Sequence, residues 1–156
     1  MRTKPLKLLI LFCFLTITVM FSSCEKKTDQ DKLKISYGTS FGMCVGYCNN
    51  QLLISNAKME LKKYENKPNA VPKVCTAEMP ETDWSKLADS IDLSVFNQLK
   101  ESYGCPDCAD GGAEWIQIEY GDKKHKVTFE YGKEPNEVKP YISALRAQFA
   151  SFKDCK

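Results

Sequence analysis

Gly104-Cys-Pro-Asp-Cys-Ala-Asp-Gly-Gly-Ala-Glu-Trp-Ile-Gln-Ile-Glu-Tyr120 is the stretch from which the fold is read. In its second half Ile116, Ile118 and Tyr120 alternate with Trp115, Gln117 and Glu119, the two-residue period of a half-buried strand. Gly121-Asp122 begins a tight turn, and His125, Val127, Phe129 and Tyr131 then alternate with Lys124, Lys126, Thr128 and Glu130. Together they predict an antiparallel hairpin. The first half brings a CxxC pair, Cys105 and Cys108, and a Gly111-Gly112 turn.

Downstream, Val138, Tyr141, Ile142, Leu145, Phe149 and Phe152 recur at helical spacing, with Pro140 in the first turn where its missing N–H costs little. Upstream, Leu33, Ile35 and Tyr37 predict a first strand, and Gly38 to Cys48 reads as a glycine-rich loop. Gln51–Ser55 and Lys58–Tyr64 flank Asn56-Ala57 as a second hairpin. Asn66 to Pro80, with Pro68, Pro72 and Pro80, reads as a loop pinned by Cys75. Thr82 or Asp83 is expected to cap a short helix carrying Trp84, Leu87, Ala88 and Ile91. Asp92 is expected to cap another, with Leu93, Phe96 and Leu99 on one face. The order predicts an α+β domain over residues 33–156. A mainly antiparallel sheet of about five strands packs against the C-terminal helix, with short helices in the middle.

Residues 1–23 read as a signal segment: Arg2, Lys4 and Lys7, then an uncharged run from Leu8 to Phe21, then Ser22 and Ser23 before Cys24. This resembles a bacterial lipobox, with Phe21 where Leu is usual. The resemblance implies cleavage before Cys24 and lipidation of its thiol, with an added acyl chain such as palmitate. Several chains together hold a protein at a bilayer. Residues 25–32 carry no apolar side chain and complete a tether from Cys24. Removing Arg2, Lys4 and Lys7 from 22 basic residues leaves 19 against 20 acidic ones, a balance that gives no support to nucleic-acid binding.

With Cys13 in the signal segment and Cys24 lipidated, Cys44, Cys48, Cys75, Cys105, Cys108 and Cys155 remain. In an exported chain this even number implies a disulfide framework, for which fifteen connectivities exist. Cys75–Cys155 with local Cys44–Cys48 and Cys105–Cys108 bridges is one of them.

Several chemistries could use these residues. A thiol oxidoreductase needs its CxxC at the start of a helix, whereas here Ala-Asp-Gly-Gly and a strand follow. Four thiolates could hold zinc, although exported cysteines generally oxidise first. Asp107, Asp110 and Glu114 around Gly111-Gly112 lack EF-hand spacing and suit a turn better than a calcium site. Haem attachment requires a histidine at Ala109. His125, the sole histidine, falls on the apolar side of its strand and has no catalytic partners in the sequence. No cofactor and no metal is expected.

Phe21-Ser22-Ser23-Cys24, the stretch Ile35 to Cys48 and the stretch Cys105 to Ile118 together resemble small uncharacterised lipoproteins of Bacteroidota. The order of elements is also similar to emfourin-type protein inhibitors of metalloproteases, which have a glycine-rich loop after strand one and a final hairpin followed by a helix. The resemblance implies a lipid-anchored protein of the bacterial cell envelope, at the outer membrane. It is expected to be a non-enzymatic module binding a protein or envelope ligand, with the Gly38–Cys48 loop, carrying Phe41, Met43 and Tyr47, and the Cys105–Gly112 loop as candidate contact surfaces. Inhibition of a secreted protease and thiol–disulfide or metal chemistry at the CxxC pair are the alternatives.

Overall fold

The two-residue alternation builds seven strands: β1 (Leu33–Ser40), β2 (Tyr47–Ser55), β3 (Lys58–Glu65), β4 (Lys73–Glu78), β5 (Ser102–Tyr103), β6 (Ala113–Tyr120) and β7 (Lys123–Glu130). The structure, a computed structural model, describes residues 30–155, so the signal segment, Cys24 and residues 25–29 of the tether lie outside the described residues. The strands form one sheet in the order β4-β3-β2-β1-β6-β7-β5, antiparallel except for the β5–β7 pair. The expectation of a mainly antiparallel sheet of about five strands is thereby corrected to seven strands, with one parallel pair making the sheet mixed.

The two added strands have different causes. β4 lies in the stretch read as a loop. Its sheet-facing positions are the small Cys75 and Ala77, opposite Leu61 and Met59, while Val74 stands on the open side. The usual contrast of apolar-in and polar-out is therefore muted, although Pro72 and Pro80 still bracket the strand. β5 pairs over only Ser102 and Tyr103, too short for a period to register.

Both hairpins form as read. Ser55 pairs with Lys58 around Asn56 and Ala57, whose φ values of 49° and 59° suit a two-residue primed turn. Tyr120 pairs with Lys123 around Gly121, at φ 57°. The glycine-rich segment is shorter than expected, because β1 runs to Ser40 and β2 begins at Tyr47. Gly38 belongs to the strand for a steric reason: a Cβ there would lie 2.2 Å from the Trp115 indole, which rests on it.

Helix α1 (Glu81–Asp89) starts after Pro80 without a side-chain cap, correcting the proposed Thr82 or Asp83 cap. Asp92 does cap the four-residue α2 (Leu93–Phe96), its Oδ1 accepting from the Ser94 and Val95 N–H groups at 2.9 and 3.1 Å. The C-terminal α3 (Lys139–Ser151) buries Tyr141, Ile142 and Leu145. All three helices contribute to one core with Leu33, Ile35, Leu52, Ile54, Leu61, Ile116, Ile118, Val127 and Phe129 from one face of the sheet. The bridges are Cys44–Cys48, Cys75–Cys155 and Cys105–Cys108. Cys75–Cys155, spanning 80 residues, ties the edge strand β4 to the chain after α3. No helix among the described residues is long and apolar enough to cross a membrane.

Candidate functional site

Strand register sorts the connections by end. Ser40 lies opposite Asn49 and Ala113, Tyr47 opposite Glu65, Lys63 opposite Lys73, Ala113 opposite Glu130, and Tyr103 beside Phe129. The loops 41–46, 66–72, 104–112 and 131–138 therefore leave the same end of the sheet. The opposite end holds the turns at Asn56-Ala57 and Gly121-Asp122. There Gly121 N–H donates to the Lys32 carbonyl, marking where the chain comes in. An eight-residue strand separates the two ends by about 25 Å.

At the loop end, Phe41 is the anchor. Its ring lies 5.0 Å from that of Tyr131 and fills the space over Gly112, where a Cβ would meet it at 2.3 Å. Gly112 has φ 78°, so both backbone and packing call for glycine there. Phe41 N–H donates to the Cys48 carbonyl at 3.1 Å. The next residue is tied to two other loops. Gly42 N–H donates to Asp107 Oδ1 at 3.3 Å, and the Gly42 carbonyl accepts from Asn66 Nδ2 at 2.8 Å. Beyond this clamp the Cys44–Cys48 bridge closes a prong whose side chains Met43 and Val45 are 78% and 104% exposed.

A buried charge cluster supports this end. Glu114, only 1% exposed, sits on the core side of β6. Its Oε1 accepts from Tyr37 OH at 2.5 Å and Arg146 Nε at 2.9 Å; its Oε2 accepts from an Arg146 terminal nitrogen at 2.5 Å and from Gly132 N–H at 2.9 Å. The same Arg146 nitrogen reaches Glu134 at 2.8 Å. Burial pushes the Glu114 carboxyl up, yet the Arg146, Tyr37 and Gly132 donors together hold it below the usual carboxylate range. Tyr37 moves the opposite way: burial first, then the Glu114 carboxylate, push its hydroxyl well above the ordinary phenol range. Both Glu114 oxygens are occupied and shielded from solvent, so the cluster fixes the 131–134 loop and α3 instead of presenting a proton to a substrate.

The structure separates several residues grouped by sequence. Of the Phe41, Met43 and Tyr47 set, Met43 stands free on the loop and Tyr47, just after it, is 36% exposed. Phe41 is packed inward, and Tyr47 belongs to β2, with Lys63 Nζ 4.8 Å from its ring centroid. Val45 was missed, and it is the most exposed large apolar residue described. Asp107, Asp110 and Glu114 do not converge: Asp107 turns to Gly42 and Glu114 to Arg146. Among the described residues no three His, Cys, Asp or Glu side chains are placed to share a metal ion. Cys105 and Cys108 flank the left-handed Asp107, and Cys108 begins a three-residue 3-10 segment instead of the pair opening an α-helix. His125 Nε2 lies 3.0 Å from the Leu99 carbonyl and its ring packs edge-on against Phe96, a structural placement.

The Glu114–Arg146 pair also escaped the sequence reading, although two signals pointed to it. Glu114 has the parity of Ile116 and Ile118, and Arg146 is one of only two arginines in a chain rich in lysine. A shallow hollow lined by Leu53, Lys58, Glu60, Thr76 and Glu78 lies near the opposite end, without an aromatic side chain in its lining. No protein-family model matches the chain, and no curated protein matches its sequence.

Proposed function

We propose that the chain is a lipid-anchored envelope protein that acts without catalysis, binding a protein ligand through the loop end of its sheet, with Met43 and Val45 as the leading contacts. The observation that carries this reading is the clamped prong. Gly42 is bound through both its N–H and its carbonyl, whereas the two apolar side chains just beyond it meet solvent. An ordered loop loses little entropy on docking. Burying Met43 and Val45 would contribute about 3–5 kcal/mol, two to three orders of magnitude in affinity.

Polarity along the sheet sets the orientation that such an anchor would impose. Lys32 lies at the end opposite the prong, so lipid on Cys24 would hold the protein with the prong facing away from its own bilayer. Metabolic labelling with an acyl analogue is expected to mark the parent and not Cys24→Ser; equal labelling of both removes the anchor.

The double variant Met43→Ser/Val45→Ser tests the contact. It is expected to keep the parent's melting temperature and to lose at least tenfold in affinity for a ligand captured by the parent. Unchanged affinity would remove the prong from the interface. Protease inhibition is the second reading, favoured by the same disulfide-closed projection. A metalloprotease and serine-protease panel without inhibition at micromolar protein would count against it. Thiol oxidoreductase activity is less well supported, because no α-helix starts at Cys105 to lower a thiolate pKa.

A further inference from the structure

The three bridges differ in shielding. Cys48 and Cys155 are buried, so the Cys44–Cys48 and Cys75–Cys155 bridges each have one protected end. Cys105 and Cys108 are both exposed. The ring they close holds Asp107 at a φ of 60°, and Ala109 and Asp110 just beyond it have φ values of 50° and 59°. L residues adopt that region at a cost unless their surroundings hold them there. Main-chain hydrogen bonds also tie this segment: Cys108 N–H donates to the Cys105 carbonyl and Gly111 N–H to the Cys108 carbonyl, each at 3.1 Å. Cys105 N–H donates to Glu130 Oε1 at 3.0 Å, and Asp107 N–H to the Gly112 carbonyl at 3.1 Å. The same left-handed Asp107 accepts the Gly42 N–H at the base of the prong.

We propose that Cys105–Cys108 is a thiol-exchange site through which a dithiol partner loosens the prong. The bridge is the substrate of exchange, not its catalyst. A thiolate of the dithiol attacks one of the two sulfurs, forming a mixed disulfide and releasing the other cysteine as a thiolate that takes up a proton. The second thiol of the partner then displaces the remaining cysteine. Two electrons and two protons pass to the protein, and the partner leaves as its disulfide. With the ring open, Asp107 relaxes from the left-handed region and withdraws from Gly42. The prong keeps its own Cys44–Cys48 bridge but loses one side of its clamp. This regulation concerns the binding end proposed above. It is measured on the isolated protein, so it stands or falls independently of any ligand.

The experiment is a stepwise dithiothreitol titration of the full-length chain as exported. Opened cysteines are trapped by alkylation and located by peptide mapping, and amide exchange is followed by NMR. Cys105 and Cys108 are expected to be alkylated first, with Gly42 amide exchange rising on the order of tenfold while the β2 and β3 amides stay protected. Asp107→Ala with all bridges intact is expected to reproduce the Gly42 change, giving a readout independent of whether a Cys105→Ser/Cys108→Ser variant folds. Simultaneous or earlier opening of Cys44–Cys48 or Cys75–Cys155 would overturn the proposal. So would an unchanged Gly42 amide after Cys105–Cys108 has opened.

Discussion

At the residue scale, Gly38 and Glu114 carry the greatest demands. The Trp115 indole lies between the Gly38 backbone and Lys126, whose Nζ is 4.3 Å from the ring centroid. Gly38→Ala puts a methyl group into the indole, so the ring must leave or the strands must part. The expected loss is about 1–3 kcal/mol, with a changed near-ultraviolet tryptophan signal in thermal denaturation followed by circular dichroism. Glu114 gives a pH prediction. Its folded pKa lies below its unfolded value of about 4.3, so its stabilisation is fully present above that value. The stabilisation is lost as pH falls through the folded pKa, which places the decline in the acid range below about pH 4. Urea denaturation between pH 3 and pH 6 is expected to show that slope, flattened in Glu114→Gln. At neutral pH Glu114→Gln leaves Arg146 with only Glu134 and is expected to cost about 2–4 kcal/mol. The Glu114→Leu/Arg146→Leu pair should lose clearly less than the sum of its single variants.

At the element scale, the edge strand β4 depends on a covalent tie more than on its own apolar pattern. Removing Cys75–Cys155 with a Cys75→Ser/Cys155→Ser pair releases an 80-residue loop and is expected to cost about 2–4 kcal/mol. Amide exchange should rise first along Lys73–Glu78. The same strand shows where sequence reading reaches its limit. β6, β7 and α3 were legible because Ile116, Ile118, Val127, Phe129, Tyr141, Ile142 and Leu145 hold one period on one buried face. β4 was not, because small Cys75 and Ala77 face the core and Val74 faces outward. Gly38 suggested a loop because its reason for being glycine, the Trp115 ring, comes from a strand 77 residues later in the chain. The candidate site was legible only in part. Met43 and Tyr47 are exposed as read, but the inward turn of Phe41 depends on Gly112 and Tyr131, and no local pattern encodes that contact.

At the scale of the whole molecule, the sheet acts as a spacer with two unlike ends. Tight turns and the incoming chain occupy one end, and the clamped loops with their apolar prong occupy the other. The buried Glu114–Arg146 cluster, the Phe41–Gly112 contact and the Gly42 clamp all favour a prong of fixed shape. The most direct test of the proposed binding end is site-specific photo-crosslinking in intact cells of the source organism. A photoreactive side chain would be placed at Val45 at one end, or at Asn56 or Asp122 at the other. Discrete adducts with one envelope protein from Val45, absent from the other two positions and lost with Met43→Ser, are the predicted result. Adducts confined to Asn56 or Asp122, with none from Val45, would contradict the assignment of the binding end.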